Sequence, residues 1–536
     1  MFKYEKLFLI IFVVVGGIAS FYSGISWDEE AELKTLLMNT NAAQDFFFHG
    51  KEGYKNLLQY SDRYYGIGFH AFSSLFSFLI LGLDAFPQNI ELVRQKLLFT
   101  HFLVFLSFIG SGLFLRAILR ILTNDNFVSS IGMLAYLLWP YLLGHSFINV
   151  KDSPFLFAWV ACTYIFIKIL ELIRLNGFPC SKNINNYFLL LGILTGWLFT
   201  IRISGILIGI EFFCLLASFI YFNSFNYKLI SFLLTKFTIF FLPPLIFVVY
   251  VFYPIFWVSP FEIIQAFNYM GHHPWDDKTL TAGIFFPTKT RLYLYIPAWL
   301  VVKLPLLVIM GYLVSPFIFL MVYKNKLQKY KSTYPYFFGL FFSVLGILLV
   351  LILAKAALYN ELRHLLFIFP MCFIVGFCSL LYLNKRILLA LSSISICVFL
   401  WDGIILFPYQ YTYFNEISRL WNVEKNYEKD YFAISVAETA DWLNKNEDKE
   451  IKGKCLLASP VHLWKYRLQG NIYPCIRDYS SLSKEKEPFL FFWLVKDRPN
   501  LYPLPSCKLI HTEERSLLFS QNKIPMSQLF LCNPKK

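Results

Sequence analysis

Long apolar runs separated by short polar segments occupy the chain from residue 7 to residue 407. They lie near residues 7–26, 67–84, 92–115, 127–147, 153–173, 187–201, 203–222, 229–256, 292–322, 335–357, 364–383 and 387–407. A run of about 20 apolar residues can cross a bilayer as an α-helix, which satisfies its own backbone hydrogen bonds there. The pattern therefore predicts an all-α polytopic membrane protein.

The run at 67–84 decides the topology. If it lies on the outer surface as an amphipathic or re-entrant segment, most loops rich in Lys and Arg are cytoplasmic, together with Lys3 and Lys6. If it spans instead, Arg116 and Arg120 are placed outside. We predict about eleven membrane-spanning helices, a peripheral 67–84 segment and a cytoplasmic N-terminus.

The chain becomes polar and charged from about residue 408. We therefore predict a membrane domain at residues 1–407, with outer loops 27–91 and 257–291, and a C-terminal domain outside the cytoplasm at residues 408–536. Helical periodicity at 435–444 and three short β-rich runs predict that this second domain is a small α/β unit. The predicted strands are residues 455–458, 489–495 and 507–510.

Four cysteines belong to this C-terminal domain. Outside the cytoplasm they can form two disulfides, and the sequence leaves all three pairings open. They are Cys455, Cys475, Cys507 and Cys532.

The composition agrees with a membrane protein, since 57% of the residues are hydrophobic and only 15% are charged. A net charge of +14 would suggest nucleic-acid binding in a soluble protein. Here Lys and Arg gather in short loops, where they orient the protein and contact lipid headgroups. We expect membrane lipids and no nucleic acid as partners. A polyanionic ligand such as a lipid phosphate is the second interpretation of the same charge.

Trp27, Asp28 and Glu29 directly follow the first apolar run, on the outer face if the N-terminus is cytoplasmic. Carboxylates at a bilayer surface contribute little to packing but suit acid–base chemistry at a lipid–water boundary. We therefore predict Asp28 and Glu29 as catalytic residues. A short surface helix is predicted next, at residues 30–38.

A second acidic motif, Asn-Val-Lys-Asp-Ser-Pro, occupies residues 149–154. One interpretation is structural: Asp152 caps the helix that Pro154 begins, and Lys151 extends to the headgroups. The other is catalytic, because Asp28 and Asp152 share one membrane face. One carboxylate would then accept a proton while the other holds the acceptor or a cation.

Cationic side chains stand where apolar runs should not carry them. Arg202, Arg363 and His364 lie at the outer ends of such runs, which suits a phosphate ligand, because Arg offers a bidentate fork and an unpaired buried cation is costly. Lys151 is a further phosphate-binding candidate. Lys303 is another, although of these cations it is the one most expected to be structural.

Four more residues complete the candidate cleft. Adjacent histidines point in different directions, so they indicate a metal only weakly, and a divalent cation stays open as the one cofactor. These residues are His272, His273, Tyr359 and Asn360.

Together these motifs resemble the GT-C class of glycosyltransferases. The resemblance is to the protein O-mannosyltransferase branch (glycosyltransferase family 39) and its bacterial relatives, including the aminoarabinose lipid A transferase. It covers most of the membrane region and depends on the order and spacing of the motifs. They are residues 27–29, 144–155, 201–205, 295–297, 303–305, 359–364, 408–415 and 430–431.

The resemblance implies a GT-C fold in a bacterial plasma membrane. It also implies an inverting transfer of a sugar from a polyprenyl-phosphate donor to a lipid, glycan or protein hydroxyl outside the cytoplasm. In that family the aspartate of the first outer loop is the base, which gives this role to Asp28, and Glu29 would orient a substrate. Asp152 matches the second acidic position, and Arg202, Arg363 and His364 match positions that could hold the donor phosphate. Ser26 stands where eukaryotic members have His, which weakens the case for a protein acceptor.

A lipid or sugar transporter is the alternative from a different functional class. Transporters typically carry charges near the membrane midplane, in helices broken by Gly or Pro. The charged residues of this chain instead gather at the ends of its apolar runs. The pattern favours surface chemistry on a lipid-linked substrate.

Overall fold

Helices dominate the computed structural model, which describes residues 3–177, 183–223, 227–271, 277–324, 327–446, 451–469, 475–496, 506–520 and 522–534. The α-helices are α1 (Lys3–Tyr22), α2 (Glu29–His49), α3 (Lys55–Gln59), α4 (Gly68–Leu81), α5 (Ile90–Thr123), α6 (Asn126–Leu138), α7 (Pro140–Ile148), α8 (Asp152–Asn176), α9 (Asn183–Ile201), α10 (Ile208–Asn223), α11 (Tyr227–Lys236), α12 (Leu242–Phe252), α13 (Ile255–Val258), α14 (Glu262–Gly271), α15 (Leu292–Lys303), α16 (Leu306–Tyr323), α17 (Tyr334–Leu353), α18 (Phe369–Leu383), α19 (Lys385–Ile405), α20 (Val423–Asn426) and α21 (Ser435–Lys445).

Ten helical segments in the described part of the chain are long and apolar enough to cross a membrane, and the bent pair α6–α7 makes eleven. The two helices of that pair meet at 59°. The bend arises because Pro140 begins α7 and holds Trp139 before it in an extended conformation. The predicted polytopic all-α membrane domain is confirmed.

The segment 67–84 is too short to span. Its helix, α4, has 14 residues, or about 21 Å of length, whereas the hydrocarbon core is about 30 Å thick. The helix ends at Gly82 in a left-handed conformation, with φ 65°, which glycine adopts without strain. The length of α4 agrees with the predicted peripheral position.

Two predicted elements differ in extent from the observed ones. The run 292–322 forms two helices, α15 and α16, because Pro305 cannot continue α15 and holds the preceding residue extended. The surface helix expected at 30–38 continues as α2 to His49. It extends that far because α2 contains neither Gly nor Pro, and Gly50 is the first residue that favours an end.

The strands form a hairpin in the second outer loop and a five-stranded sheet in the C-terminal domain, ordered β4-β3-β5-β7-β6. In this sheet β3 pairs in parallel with β4 and β5, while β7 lies antiparallel between β5 and β6. With α21, the sheet confirms the predicted α/β unit. The strands are β1 (Lys278–Thr281), β2 (Ile284–Pro287), β3 (Leu456–Leu457), β4 (Ile476–Arg477), β5 (Phe489–Leu494), β6 (Cys507–Arg515) and β7 (Ile524–Cys532).

Two disulfides link neighbouring strands of this sheet: Cys455–Cys475 beside β3 and β4, and Cys507–Cys532 between β6 and β7. They select one of the three pairings that the sequence left open. Strand β7 was not predicted, and Pro525, its second residue, is unusual for a central strand. The structure accommodates Pro525 next to an irregularity in the ladder between β6 and β7.

The C-terminal domain packs directly on the membrane domain. Gly144 of α7 lies so close to the turn Gln410–Thr412 that a Cβ atom there would be 2.1 Å from the backbone nitrogen of Tyr411. A fully buried ion pair joins Arg419 to Asp402 of α19. These contacts bring the segment around Tyr431 next to one end of the membrane helices.

Candidate active site

A cavity of about 500 Å³, here called the polar cleft, lies where the ends of several helices meet. Its walls come from the first turns of α2 and α8, the residue that follows α9, the turn before α18 and the C-terminal domain. Eight of the twelve predicted site residues line it. They are Asp28, Lys151, Asp152, Arg202, Tyr359, Asn360, Arg363 and His364.

Asp28 precedes the first residue of α2, and its carboxylate makes no capping hydrogen bond. Its Oδ2 instead accepts a hydrogen bond from Arg363, and its side chain stays 43% exposed. The backbone N–H of Trp27 donates to the carbonyl of Phe432 at 3.0 Å, which fixes the loop against the C-terminal domain. The carboxylate therefore faces the cleft in a fixed position, where a substrate can reach it.

Arg363 is held by aromatic rings as well as by Asp28. Its guanidinium lies 5.3 Å from the ring centre of Tyr359, 5.6 Å from that of Phe432 and 5.9 Å from that of Tyr431. Such contacts favour a cation in a partly desolvated site. The Nε of Arg363 is buried and has no hydrogen-bond partner among the described residues. That N–H is available to a ligand.

Asp152 is the first residue of α8 and does not act as its cap. The side chain of Asn149 caps the start of the helix instead, because its oxygen accepts a hydrogen bond from the backbone N–H of Asp152 at 2.8 Å. The Asn149 amide also donates to Asp152 Oδ2 at 3.0 Å, while the other carboxylate oxygen pairs with Arg202. The structure therefore favours the interpretation in which the Asp152 side chain faces the cleft.

Lys151 is buried and pairs with Glu32 of α2, Nζ to Oε1, at 2.7 Å. Its ammonium also lies 3.9 Å from the ring centre of Tyr65. Burial alone would raise the pKa of Glu32, but the charge of Lys151 and the contact with His70 outweigh it and lower that pKa to about 2. Glu32 is therefore an anion that holds Lys151 at the cleft wall.

Lys303 lines neither this cleft nor the apolar cavity described below. It is fully buried, with Nζ 3.0 Å from Glu361 Oε1. Asn360 and Glu361 both have positive φ, at 53° and 62°, a conformation that costs free energy for residues with a Cβ. The ion pair anchors this turn, and the turn presents Arg363. Lys303 therefore does not line the cleft in which its predicted phosphate contact would be made.

Glu29 points away from the cleft into the protein. Its Oε1 accepts from the backbone N–H of Ser26 at 2.6 Å, and its Oε2 lies 2.9 Å from His101 Nε2. The side chain is fully buried. The predicted substrate contact of Glu29 is therefore replaced by an indirect role, in which it holds the loop that carries Asp28. His272 and His273 lie outside the described residues.

A second cavity of about 530 Å³, the apolar cavity, adjoins the polar cleft. Apolar side chains of α14, α17 and the helical turn after Arg202 form much of its wall, among them Ile206, Phe267 and Leu351. Two cations stand on the boundary between the cavities. The residues that line both are Tyr65, Lys151, Arg202, Tyr359 and His364.

Comparison with known proteins gives a similarity to solved structures alone. No protein family profile matches the sequence, and no curated protein matches it. The chain is similar to the crystal structure of ArnT from Cupriavidus metallidurans bound to undecaprenyl phosphate, at 12% identity, a TM-score of 0.44 and 98% coverage of both chains. The apo structure of the same protein gives 13% identity, a TM-score of 0.44, and coverage of 99% of this chain and 98% of that one. ArnT is the aminoarabinose lipid A transferase, one of the bacterial relatives that the motifs resemble.

Each cation of the polar cleft is paired with a carboxylate, and the C-terminal domain adds one more pair, Lys496 with Asp277 at 3.0 Å. A phosphate entering the cleft would compete with these carboxylates for N–H donors. Within the described ranges, no group of three side chains of the metal-binding types lies together. In the polar cleft, paired cations therefore lie beside the exposed carboxylate of Asp28.

Glu32 lines the polar cleft but was not predicted as a site residue. A usable signal was present: Asp28 directly precedes a helix, and Glu32 lies one helical turn after it, on the same side. The aromatic wall of Tyr65 and Phe432 gave no comparable signal. These two residues belong to distant segments, and only the packing of the C-terminal domain brings them together.

Proposed function

We propose that this chain is an integral-membrane glycosyltransferase of the GT-C type. It transfers a sugar from a polyprenyl-phosphate donor to an acceptor hydroxyl on the non-cytoplasmic face, with inversion and with Asp28 as the base. The supporting observation is the shared boundary of the two cavities. A lipid phosphate needs cations at its head and apolar walls along its tail, and the polar cleft and apolar cavity offer both with Arg202 and Lys151 between them.

The donor phosphate would bind Arg202 and Arg363 at this boundary, and the polyprenyl chain would occupy the apolar cavity. The free Nε of Arg363 is a ready hydrogen-bond donor to a phosphate oxygen. When the phosphate replaces the Asp28 carboxylate as the partner of the Arg363 guanidinium, Oδ2 of Asp28 becomes free to accept the proton of the acceptor hydroxyl. Lys151 contributes positive charge near the leaving group, held in place by Glu32.

The reaction is a single displacement. The acceptor oxygen attacks the anomeric carbon, its proton passes to Asp28, and the bond from that carbon to the phosphate oxygen breaks. The electron pair of that bond leaves on the phosphate, so the products are an inverted glycoside and polyprenyl phosphate. The phosphate is a good leaving group once its charge is matched by Arg, which removes the need for a general acid.

The bent pair α6–α7 favours the transporter alternative, because broken helices are frequent in transporters. However, α7 is buried throughout and packs against the C-terminal domain, and the cleft charges stand at helix ends. A transporter would move a fluorescent polyprenyl-phosphate sugar across the membrane of vesicles without any acceptor. A transferase would instead cleave this donor, and only when an acceptor is present.

The test of the base is the Asp28→Asn variant, assayed with purified full-length protein, a radiolabelled polyprenyl-phosphate sugar and a cell-envelope extract that supplies the acceptor. Loss of the proton acceptor should lower the transfer rate by about 10²–10⁴-fold, with donor binding largely retained. Glu30→Gln is the matched control, because Glu30 lies two positions further and pairs with Lys465 outside the cleft. Transfer at the wild-type rate by Asp28→Asn would remove Asp28 from the mechanism.

A further inference from the structure

Helix α2 contributes residues to the walls of two separate cavities, and the proposed function uses one of these cavities. Its first turns line the polar cleft through Asp28, Glu32 and Thr35. Further along, α2 forms one wall of a separate cavity of about 490 Å³, here called the α2 groove. The groove residues of α2 are Lys34, Met38, Asn41, Ala42, Gln44 and Asp45.

The opposite wall comes from the 3₁₀ turn Gly50–Tyr54 and from α3. Gly53 packs so tightly on α2 that a Cβ atom would lie 2.6 Å from the backbone carbonyl carbon of Asp45. This close approach sets the width of the groove at that end. At the other end the hydroxyl of Tyr60, which lines the groove, lies 3.0 Å from Oγ1 of Thr35, which lines the polar cleft, so the two cavities adjoin there.

The groove is lined by amides. Asn41, Gln44, Asn56 and Gln59 are exposed, and among the described residues none of these four side chains has a hydrogen-bond partner. An amide both donates and accepts, as a sugar hydroxyl does, so a row of amides matches a row of hydroxyls. Tyr60 adds an aromatic ring at the end nearest the polar cleft, and the Nζ of Lys34 lies 5.6 Å from the centre of that ring.

The same lining disfavours other ligands. Lys34 and Asp45 offset each other, so the groove offers no net charge to a polyanion. Its apolar residues are few, and Ala42 and Leu57 are buried, which leaves no apolar wall for an acyl chain. Peptide recognition usually depends on a sheet edge or on apolar pockets, and the residues that line this groove provide neither.

We infer that the α2 groove binds the sugar units of an uncharged glycan, and that this glycan is the acceptor whose end reaches Asp28. Thirteen positions of helix separate Asp28 from Asn41, or about 20 Å, so the groove suits an extended oligosaccharide. The acceptor part of this inference rests on the proposed function. Glycan binding in the groove does not.

The experiment measures binding without any donor. Full-length protein in lipid nanodiscs is examined by saturation-transfer NMR with three neutral tetrasaccharides, of β-linked glucose, β-linked N-acetylglucosamine and α-linked mannose. At least one of them should bind, and the double variant Gln44→Leu/Asn56→Leu should weaken its apparent affinity about tenfold through the lost hydrogen bonds. Gln88→Leu is the control, since Gln88 is an exposed amide of the same outer loop outside the groove.

The inference is overturned if no neutral tetrasaccharide gives a signal that the double variant reduces. It is equally overturned if an acidic galacturonic-acid tetramer or a Ser/Thr-rich peptide binds the groove in preference. The proposed function is tested separately by release of polyprenyl phosphate from a polyprenyl-phosphate sugar when wild-type protein is supplied with a cell-envelope extract as the source of acceptor. Glycan binding without such release refutes the proposed function alone, and release without glycan binding refutes this inference alone.

Discussion

Arg363 contacts the carboxylate that the proposed reaction needs free. Its Nη1 donates to Oδ2 of Asp28, while its Nε is buried without a partner in the described part of the chain. A planar guanidinium can serve a carboxylate and a phosphate in turn, because its five N–H donors point in fixed directions. Donor binding and release of the base are therefore coupled through one side chain.

Replacing Arg363 by Ala should mainly weaken donor binding. A charge-assisted hydrogen bond in a partly buried site is lost, so the KM for the polyprenyl-phosphate sugar should rise about tenfold or more. Arg363→Lys should recover part of the loss, since it keeps the charge but not the bidentate fork. The measurement is steady-state kinetics at varied donor concentration, with Arg94→Ala as a control outside the cleft. An unchanged donor KM in Arg363→Ala would exclude the phosphate contact.

Glu32 and Lys151 form a buried pair whose charges depend on each other. Removing one partner of such a pair leaves a charge without compensation, at a cost of about 3–5 kcal/mol. The pKa of Glu32 is lowered from 4.5 to about 2 in the folded protein. Its contribution to stability is therefore complete above pH 4.5 and is lost as the pH falls from 4.5 toward 2.

The Glu32→Gln variant should therefore unfold at a lower temperature than wild type at pH 7, and this difference should shrink as the pH approaches 3. Thermal unfolding of the detergent-purified proteins at both pH values measures it. Glu30→Gln should change little at either pH, because the pair of Glu30 with Lys465 is partly exposed. A difference that stays constant between the two pH values would contradict the ionised state of Glu32.

At the scale of elements, the candidate site is built from helix ends. Asp28 and Asp152 stand at the first turns of α2 and α8, and Arg202 follows the last residue of α9. The break between α6 and α7 shifts α7 against the C-terminal domain, with Gly144 at the contact. The position of the aromatic wall therefore depends on how closely α7 approaches the turn around Tyr411.

Gly144→Ala should destabilise this junction. The added Cβ would lie 2.1 Å from the backbone nitrogen of Tyr411, so backbone must move, which typically costs about 1–3 kcal/mol. We expect a thermal midpoint several degrees below that of wild type. Gly209→Ala is the control, because a Cβ on this helical glycine meets no atom within 4 Å. Equal midpoints for the two variants would show that the junction tolerates separation.

Local sequence was enough to predict the apolar helices and the residues near their ends, because both follow from composition and position along the chain. It was not enough to orient individual side chains. Glu29 and Asp28 are neighbours, yet the first turn of α2 directs Glu29 toward His101 and leaves Asp28 in the cleft. Lys303 likewise pairs with Glu361, which lies in a turn with two positive φ angles, and no local sequence pattern predicts that turn.

At the scale of the whole molecule, the polar cleft, the apolar cavity and the C-terminal domain lie at one end of the helical bundle. The C-terminal domain contributes Tyr431, Phe432 and Lys496 to the cleft, so both must be on the same side of the membrane. The domain also holds two disulfides, which persist in oxidising compartments. The chemistry of the disulfides and the distribution of basic loops both indicate the non-cytoplasmic side.

Accessibility of introduced cysteines tests this orientation. In a background where the cysteines outside the two disulfides are replaced by serine, a membrane-impermeant maleimide should label Lys486→Cys in cells with an intact plasma membrane. It should label Lys329→Cys only after permeabilisation, because the basic loop before α17 is predicted to be cytoplasmic. Both positions are exposed, so unequal labelling reports the membrane side and not burial. The reverse pattern would place the polar cleft in the cytoplasm and remove the basis for a donor used on the outer face.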